Sequence, residues 1–285
     1  MSEVFDLKTF IEKSKPLDLS GIDWSQARRQ PVSEAERRVL PYFIDVESYT
    51  IAYLRALLNT SALEDPEISD FLSIWAYEES YHGRAIERFL EEAGVGLDPD
   101  RPKSVQRPRR PLEALQDAAA SVVSRAVGPD FVATHMTWGA IQELTTLNGY
   151  RRLAERTENE VFAEIVRRIM RDESRHFSFY YHKAEERLER SAKARAVTRF
   201  LVRHFWKPVG AGIMPDPDVD FVSLYMFGGE QGAVEVAHVD RTIGRLPGMA
   251  GFDGMSRFVA DAHWRRGIED NHGTRARRYA AISAG

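Results

Sequence analysis

The sequence contains no cysteine, and this absence removes several kinds of site at once. A chain without cysteine cannot form disulfides, a zinc–thiolate site or an iron–sulfur cluster of its own. Any reducing electrons that a reaction needs must therefore come from elsewhere. Proline and glycine are not in excess either, with 13 and 19 residues among 285, and a chain of this length can bury one sizeable core.

Long apolar runs and a strong excess of charge are also missing. No apolar run approaches the roughly eighteen residues of a membrane-spanning helix, and the first residues lack the basic and apolar regions of a secretory signal. The formal net charge of −4 argues against nucleic acid as the main partner. Together these absences predict a cytoplasmic enzyme without a transmembrane segment.

What the sequence does contain is one arrangement, present twice: a lone glutamate and, about thirty residues later, Glu-x-x-His. The two copies are Glu47 with Glu79 and His82, and Glu143 with Glu173 and His176. A helix rises about 1.5 Å per residue, so a chain that follows one helix, turns and returns along the next reaches the same height at this spacing. The six side chains can therefore lie in one layer of a four-helix bundle, like the four carboxylates and two imidazoles of a di-iron or di-manganese centre.

Start and stop signals place these residues on four helices. Ser33-x-x-Glu36 is a capping box for the first helix, and Asp65-Pro66 provides an N-cap and a first-turn proline for the second. The third helix is predicted to start after residues 128–130, and the fourth follows a turn near residues 156–160. The ligand candidates interrupt apolar faces, where unpaired carboxylates would each cost several kcal/mol. A pair of metal ions would remove that cost.

Glu-x-x-His alone is a weak signal, because the sequence contains it twice more. Glu235-x-x-His238 has no glutamate about thirty residues upstream. Glu269-x-x-His272 does follow Glu235, but proline and glycine interrupt the span between them and exclude a simple hairpin. We therefore expect ordinary surface positions for both pairs.

Outside the four ligand helices the patterns are weaker. The predicted features are an exposed connection over 94–111, a short helix over 112–127, a charged helix over 187–203, a loop over 207–218 and a helix over 220–245. About forty residues at the end carry little pattern, and no strand is expected. The sequence thus predicts an all-α fold in a single domain over 1–285, with a metal-binding bundle over about 33–190 and a helical extension over about 191–285.

Four short strings around the ligand candidates resemble the soluble acyl-[acyl-carrier-protein] desaturases of the ferritin-like di-iron superfamily. They are Leu57-Leu58-Asn59-Thr60, Glu78-Glu79-x-x-His82-Gly83, Gln142-Glu143-x-x-Thr146 and Asp172-Glu173-x-Arg175-His176. The resemblance, which covers about residues 24–189, implies a ferritin-like four-helix bundle with additional flanking helices. It also implies an oxygen-dependent desaturase with two iron ions per chain and dioxygen as co-substrate. Between Glu79 and His82 this chain has Ser80-Tyr81, where the family usually has Asn-Arg.

The resemblance implies a role for each site residue. Glu79 and Glu173 would bridge the metals, Glu47 and His82 would complete one iron, and Glu143 and His176 would complete the other. Asp172 would accept a hydrogen bond from the free nitrogen of a ligand histidine, His82 by preference. Trp24 would lie on an electron path or serve only in packing. The Thr146 hydroxyl would face the oxygen-binding side or bond the carbonyl four residues back.

The implied partners are an acyl carrier protein thioester as substrate and ferredoxin or a similar electron donor, and the implied assembly is a homodimer. A candidate docking patch for the acidic carrier consists of Arg101, Lys103, Arg107, Arg109 and Arg110. A solvated loop explains these residues equally well. Candidates for an acyl channel are Met136, Trp138, Phe177, Phe179 and Tyr180, although such residues more commonly form core.

Three other functions stay open beside the desaturase. A related oxygenase would hydroxylate or N-oxidise another substrate on the same scaffold. Iron oxidation and storage would use the same ligands, but its subunits have about half this length. A catalytically silent homologue would keep only the metal site, because a fold does not determine a function.

Overall fold

The structure, a computed structural model, describes residues 5–57, 61–97, 127–212 and 214–267. These ranges contain nine α-helices and no β-strand. The helices are α1 Leu7–Lys13, α2 Glu34–Leu57, α3 Pro66–Glu92, α4 Phe131–Arg156, α5 Glu160–Arg190, α6 Ala192–Phe205, α7 Asp216–Phe227, α8 Gly229–Gly244 and α9 Gly254–Arg265. The predicted all-α, ferritin-like bundle with flanking helices is confirmed.

Helices α2–α5 form the bundle as two hairpins. α2 packs along α3, α4 packs along α5, and α3 and α5 join the two hairpins. α2 starts at the predicted capping box, in which the Ser33 N–H donates to Glu36 Oε2 at 2.7 Å and the Glu36 N–H donates to Ser33 Oγ at 3.2 Å. α3 starts at the predicted N-cap, Asp65, whose side chain accepts a hydrogen bond from the Glu67 N–H at 3.0 Å. Local capping therefore sets where both helices of the first hairpin begin.

Two stacked aromatic pairs join α3 and α5 on either side of the ligand candidates. The ring centroids of Phe71 and Phe179 are 3.7 Å apart, and those of Phe89 and Phe162 are 4.8 Å apart. On each helix the Glu-x-x-His motif lies between the two phenylalanines. Because these rings are fully buried, they close the bundle above and below the ligands.

The remaining helices surround the bundle. α1 lies against α3, and α6 packs against α4 and α5. α7, α8 and α9 contact one another, and α7 and α8 also contact α4. Asp240 of α8 holds the start of α9, because its carboxylate accepts hydrogen bonds from the N–H groups of Met255 and Ser256, each at 3.0 Å. None of the helices in the described ranges has the length and apolar character needed to cross a bilayer.

Helix boundaries beyond α5 differ from the predicted ones. The helix expected over 187–203 is two helices, because Ser191 follows α5 and caps α6, with its Oγ accepting from the Ala194 N–H at 3.1 Å. The helix expected over 220–245 is also two, separated at Gly228. The loop predicted over 207–218 ends earlier, since Asp216 begins α7. α9 lies in the segment expected to carry little pattern. The helix predicted over 112–127 falls almost entirely outside the described residues.

Candidate metal centre

The six ligand candidates meet in one layer of the bundle, called here the ligand layer. It consists of Glu47 from α2, Glu79 and His82 from α3, Glu143 from α4, and Glu173 and His176 from α5. None of the six is more than 6% exposed. Gly83 allows α2 to approach α3 at this level, because a Cβ atom at Gly83 would lie 3.3 Å from the Cβ of Glu47.

The ligand atoms form two groups that share two carboxylates. One group contains Glu47, Glu79, His82 and Glu173, and the other contains Glu79, Glu143, Glu173 and His176. Within each group the donor atoms lie within 4.8 Å of one another. We call Glu79 and Glu173, which belong to both groups, the shared glutamates, and Glu47 and Glu143, which belong to one group each, the terminal glutamates. The described part of the chain contains no further group of this kind.

Both histidines direct Nδ1 into the ligand layer. His82 Nδ1 lies 3.3 Å from Glu173 Oε1 and 3.7 Å from Glu79 Oε2. His176 Nδ1 lies 3.0 Å from Glu79 Oε1 and 3.4 Å from Glu173 Oε2. Nδ1 is thus the nitrogen that each ring can offer to a metal ion.

The outer nitrogen of each histidine contacts an acid on the opposite helix. His82 Nε2 lies 3.3 Å from Asp172 Oδ2, and His176 Nε2 lies 2.8 Å from Glu78 Oε2. Arg175 joins the two acids, because its Nη2 donates to Glu78 Oε1 at 2.7 Å and to Asp172 Oδ1 at 2.6 Å. With an Nε2–H donating to a carboxylate, each ring keeps its Nδ1 lone pair for a metal ion.

Each terminal glutamate receives a hydrogen bond from an aromatic side chain on another helix. The Tyr150 hydroxyl donates to Glu47 Oε1, and Trp75 Nε1–H donates to Glu143 Oε1 at 3.0 Å. Neither aromatic residue is predicted by the sequence, since both look like ordinary core. The contact of Glu78 with a histidine is not predicted either. Its position could have indicated it, because Glu78 directly precedes Glu79 just as Asp172 directly precedes Glu173.

Burial and mutual contact shift the protonation of these groups. Burial, followed by the charge of the shared glutamates, raises the pKa of Glu47 and of Glu143 well above the usual range. Burial opposes the charged form of His82 and His176, but hydrogen bonds to the surrounding carboxylates outweigh it and raise the pKa of both rings well above the usual value. Both shifts favour the protonated forms of these four side chains.

The donor set fits a pair of metal ions. Three buried atoms in the ligand layer, Glu79 Oε1, Glu173 Oε1 and His82 Nδ1, make no hydrogen bond of good geometry within the described residues. An unpaired buried polar atom costs about 1–3 kcal/mol, and a pair of metal ions would give all three atoms a partner. Four carboxylates and two imidazoles form an oxygen-rich set that suits iron or manganese.

The sequence model of the fatty acid desaturase family matches residues 48–209, more than half of the chain. The chain belongs to this family. The matched segment contains five of the six ligand candidates and begins immediately after Glu47. Neither the curated proteins nor the solved structures contain a significant match. Membership of this family, which is typically iron-dependent, suggests an oxidoreductase, and the paired carboxylate–histidine groups could hold metal ions.

In this desaturase-family chain, Thr146 and Trp24 have different surroundings. Thr146 lies one turn after Glu143, and its hydroxyl makes no hydrogen bond with the residues that the structure describes. It is the neighbouring Thr145 that donates to the carbonyl four residues back, Ile141, at 2.7 Å. Trp24 is half-buried in a short 3-10 turn, with the Arg88 guanidinium 4.0 Å from its ring centroid. The roles suggested for Thr146 and Trp24 stay predictions.

A cavity of about 120 Å³ borders the ligand layer on the side of Thr146. All four glutamates of the layer contribute to its wall, and Val209 and Gly210 from the connection between α6 and α7 close it. The Tyr42 hydroxyl donates to the Val209 carbonyl at 2.6 Å and holds this connection in place. A smaller cavity of about 40 Å³ shares Thr146 and Val209 with the first and continues towards α7 and α9.

Tyr180 contributes to the wall of the larger cavity and packs closely on α4. A Cβ atom at Gly139 would lie 2.3 Å from the Tyr180 ring, so only glycine leaves room for it. The Tyr180 hydroxyl is buried and has no hydrogen-bond partner in the described ranges. The other channel candidates are not part of this wall: Met136 and Phe179 are buried core, and Trp138 and Phe177 pack against the core.

The two further Glu-x-x-His motifs lie apart from the ligand layer. Glu235 accepts a hydrogen bond from Arg151 Nη1 at 3.0 Å, and neither Glu235 nor His238 belongs to a metal-binding group. Glu269 and His272 lie outside the described residues, as do the five basic residues of the candidate docking patch, Arg101, Lys103, Arg107, Arg109 and Arg110.

Proposed function

We propose that the chain is a di-iron, dioxygen-dependent desaturase that introduces a double bond into a fatty acyl chain bound to a carrier protein. The main support is that Glu79 and Glu173 belong to both four-ligand groups, so two metal ions would share two carboxylates. When bound, a pair of ferrous ions supplies the reduction of dioxygen to an oxidant that can remove hydrogen from an unactivated methylene.

The chain's own residues would hold and orient this site. Glu47 with His82 and Glu143 with His176 would complete the two irons. Asp172 and Glu78 would keep a proton on Nε2 of the histidines, and Arg175 would hold both acids in place. The Thr146 hydroxyl, which borders the cavity, would offer a hydrogen-bond donor on the side where dioxygen and substrate meet.

The cavity beside the ligand layer would receive the reacting part of the acyl chain. Its volume of about 120 Å³ is below the roughly 300–1,000 Å³ of typical ligand pockets. We therefore expect the connection between α6 and α7 to move outward when a long chain enters. Two hydrogen bonds hold this connection, from Tyr42 to the Val209 carbonyl and from Gln142 Nε2 to the Lys207 carbonyl at 3.2 Å.

Electrons and substrate would both arrive on partner proteins. Because the chain has no cysteine and no thiol-bound redox centre, each turnover needs two electrons from ferredoxin or a similar donor. Trp24 would serve on the path of these electrons. An acyl carrier protein would present the substrate, and its acidic surface would be met by the basic residues between Arg101 and Arg110.

A second candidate is a related oxygenase that hydroxylates or N-oxidises a more polar substrate. The observation that favours it is a pair of buried cavity-lining groups, the Tyr180 hydroxyl and Gln142 Oε1, that have no hydrogen-bond partner among the described residues. A plain methylene chain would leave both groups unpaired, whereas a substrate with a polar group would pair them.

Product analysis separates the two candidates. Iron-loaded protein is supplied with ferredoxin, its reductase, NADPH and a panel of saturated acyl carrier protein thioesters, and the products are examined by mass spectrometry. We expect loss of two hydrogens, with poor reaction of the free fatty acid because the carrier supplies docking energy. Gain of one oxygen would instead establish the oxygenase. If neither change occurs while the reduced protein still consumes oxygen, the desaturase proposal is wrong.

We also infer that the protein works as a homodimer. Phe200 and Phe205 of α6 are 56% and 59% exposed, and a two-fold interface could bury such residues. Light scattering at micromolar concentration should give twice the chain mass of 32.5 kDa. The mass of a single chain would contradict the dimer, and a cage of many subunits would favour iron storage.

A further inference from the structure

We propose that Tyr150 is a positioning residue for one half of the metal site: its hydroxyl fixes the Glu47 carboxylate so that Oε2 faces the ligand layer and can bind a metal ion. The inference rests on the proposed pair of metal ions and is independent of the substrate. It concerns the half of the site formed by Glu47 and His82.

The two oxygens of Glu47 have different surroundings. Oε1 accepts the hydrogen bond from the Tyr150 hydroxyl. Oε2 is the oxygen that faces the ligand layer, where it lies 3.9 Å from His82 Nδ1. Both side chains are buried, with exposures of 4% for Glu47 and 0% for Tyr150. The hydrogen bond thus fixes how the carboxylate is turned, with Oε2 towards the ligand layer.

Tyr150 is itself held firmly. Its ring packs against Phe43 of α2, with centroids 4.9 Å apart and planes inclined by 42°. Phe43 lies one turn before Glu47 on α2, and Tyr150 lies two turns after Glu143 on α4. Tyr150 therefore connects the two helices that carry the terminal glutamates, and its hydroxyl has little freedom to turn elsewhere.

The hydroxyl of Tyr150 has a different kind of hydrogen-bond partner from the hydroxyls of the other buried tyrosines. Tyr42 donates to a backbone carbonyl, and the Tyr180 hydroxyl has no partner in the described ranges. Tyr150, by contrast, bonds a carboxylate of the ligand layer, as Trp75 does with Glu143 in the other half. A donor on each terminal glutamate gives both halves of the site the same construction.

Cobalt(II) titration tests the role without any need for activity. The proteins are the wild type, Tyr150→Phe, which keeps the ring and removes the hydroxyl, and Tyr225→Phe as a control on α7. We expect two ions per chain in the wild type and the control. In Tyr150→Phe one ion should bind roughly tenfold to a hundredfold more weakly, since a hydrogen bond to a charged group is lost. The other ion should bind as in the wild type, because Glu143 and His176 keep their own hydrogen-bond partners.

A double-mutant cycle shows whether Tyr150 acts through Glu47. In a Glu47→Ala background the Tyr150→Phe change should have no further effect on cobalt binding. Infrared difference spectra of the wild type with and without cobalt should show carboxylate bands that shift on metal binding, and Glu47→Ala should remove part of this change. This measurement does not depend on the folding of Tyr150→Phe.

The possible results are distinct. Unchanged affinity in Tyr150→Phe would overturn the inference while the two-metal site stands. An equal loss in the Glu47→Ala background, equal weakening of both ions by Tyr150→Phe, or an infrared change that Glu47→Ala leaves intact would also overturn it. A wild type that fails to bind two ions would show that the proposed metal site itself is wrong.

Discussion

Two adjacent acids on one helix have different roles in this site. Successive residues on a helix point about 100° apart, so Glu79 faces the ligand layer while Glu78 is turned towards α5 and reaches His176. Asp172 and Glu173 repeat this arrangement from α5, with Asp172 reaching His82. Each histidine is therefore oriented by the helix that carries the other histidine.

The position of a histidine should matter more than the motif that contains it. His82→Ala should lose about one of two iron ions, because His82 Nδ1 points into the ligand layer. His238→Ala should keep both, since His238 belongs to a Glu-x-x-His motif outside the layer. Iron content after reconstitution and desalting measures the difference. Equal losses from the two variants would mean that the wrong motif has been selected.

The close contact between Gly139 and Tyr180 makes a second prediction at the scale of a residue. Gly139→Ala should lower the free energy of unfolding by about 1–3 kcal/mol, because the new Cβ would lie 2.3 Å from the Tyr180 ring. This loss exceeds the gain of about 1 kcal/mol that alanine brings to an exposed helix position. Urea unfolding measures the change, with Gly96→Ala as a control whose Cβ would meet no atom of the described residues within 4 Å. A more stable Gly139→Ala variant would contradict the prediction.

The residues that meet in the ligand layer could be selected from the sequence because the hairpin spacing occurs twice. Glu78 was recoverable in the same way, since it occupies in α3 the position of Asp172 in α5. Tyr150 and Trp75 were not recoverable. Each bonds a glutamate on another helix, and an aromatic residue at helical spacing looks the same in sequence whether it packs or donates.

At the scale of secondary structure, the bundle was predictable and the extension was not. The bundle helices are bounded by a capping box, an Asp-Pro pair and clear turns. In the extension, Ser191 follows the end of α5 and caps α6. No proline or glycine marks this break, and the spacing of apolar residues does not indicate it either. Two boundaries in the extension did have a signal in the sequence. Gly228-Gly229 indicates the break between α7 and α8, and Asp216-Pro217 indicates the start of α7.

The junction of α8 and α9 should give the protein a measurable pH dependence. Burial raises the pKa of Asp240 to about 6, although hydrogen bonds from Ser256 and Met255 favour its ionised form. The folded state therefore binds the proton of this carboxyl more tightly than the unfolded state, in which the pKa of an aspartate is 3.8. The contribution of Asp240 to the free energy of unfolding should therefore fall by about 3 kcal/mol in total as the pH rises from well below 4 to well above 6.

Comparison of the wild type with Asp240→Asn isolates this contribution. Urea unfolding at several pH values gives the free energy of unfolding of both proteins. The difference between the two free energies should change over this pH range and stay constant at higher pH. Asp261→Asn, at an exposed position of α9, serves as the control and should run parallel to the wild type. A wild type that becomes more stable relative to Asp240→Asn with rising pH would show that the hydrogen bonds dominate over burial.

At the scale of the whole molecule, the bundle supplies the ligands and the extension closes the space beside them. The ligand layer draws on all four bundle helices, whereas the cavity next to it is covered by the connection between α6 and α7. The smaller cavity reaches Met226 of α7 and Met255 of α9. A change in the extension can therefore alter the shape of these cavities without touching a ligand candidate.

Because the ligand layer joins four helices, metal binding should stabilise the whole bundle. The six ligands come together only in the folded chain, so free metal at about a hundred times its dissociation constant should add about 2.7 kcal/mol, or roughly 5 to 10 °C in melting temperature. Burial raises the pKa of Glu47 and Glu143, so protons compete with the metal at these carboxylates. The stabilisation should therefore be larger at pH 8 than at pH 6.

Thermal melting with and without manganese(II), at both pH values, measures this coupling in the absence of turnover. The control is the double variant Glu79→Ala, Glu173→Ala, which lacks both shared glutamates and should show no shift at either pH. Metal-free wild type provides the baseline at each pH, because other groups titrate in this range as well. A shift of equal size in the double variant would place the metal elsewhere. A larger shift at pH 6 would mean that the terminal glutamates do not give up protons when the metal binds.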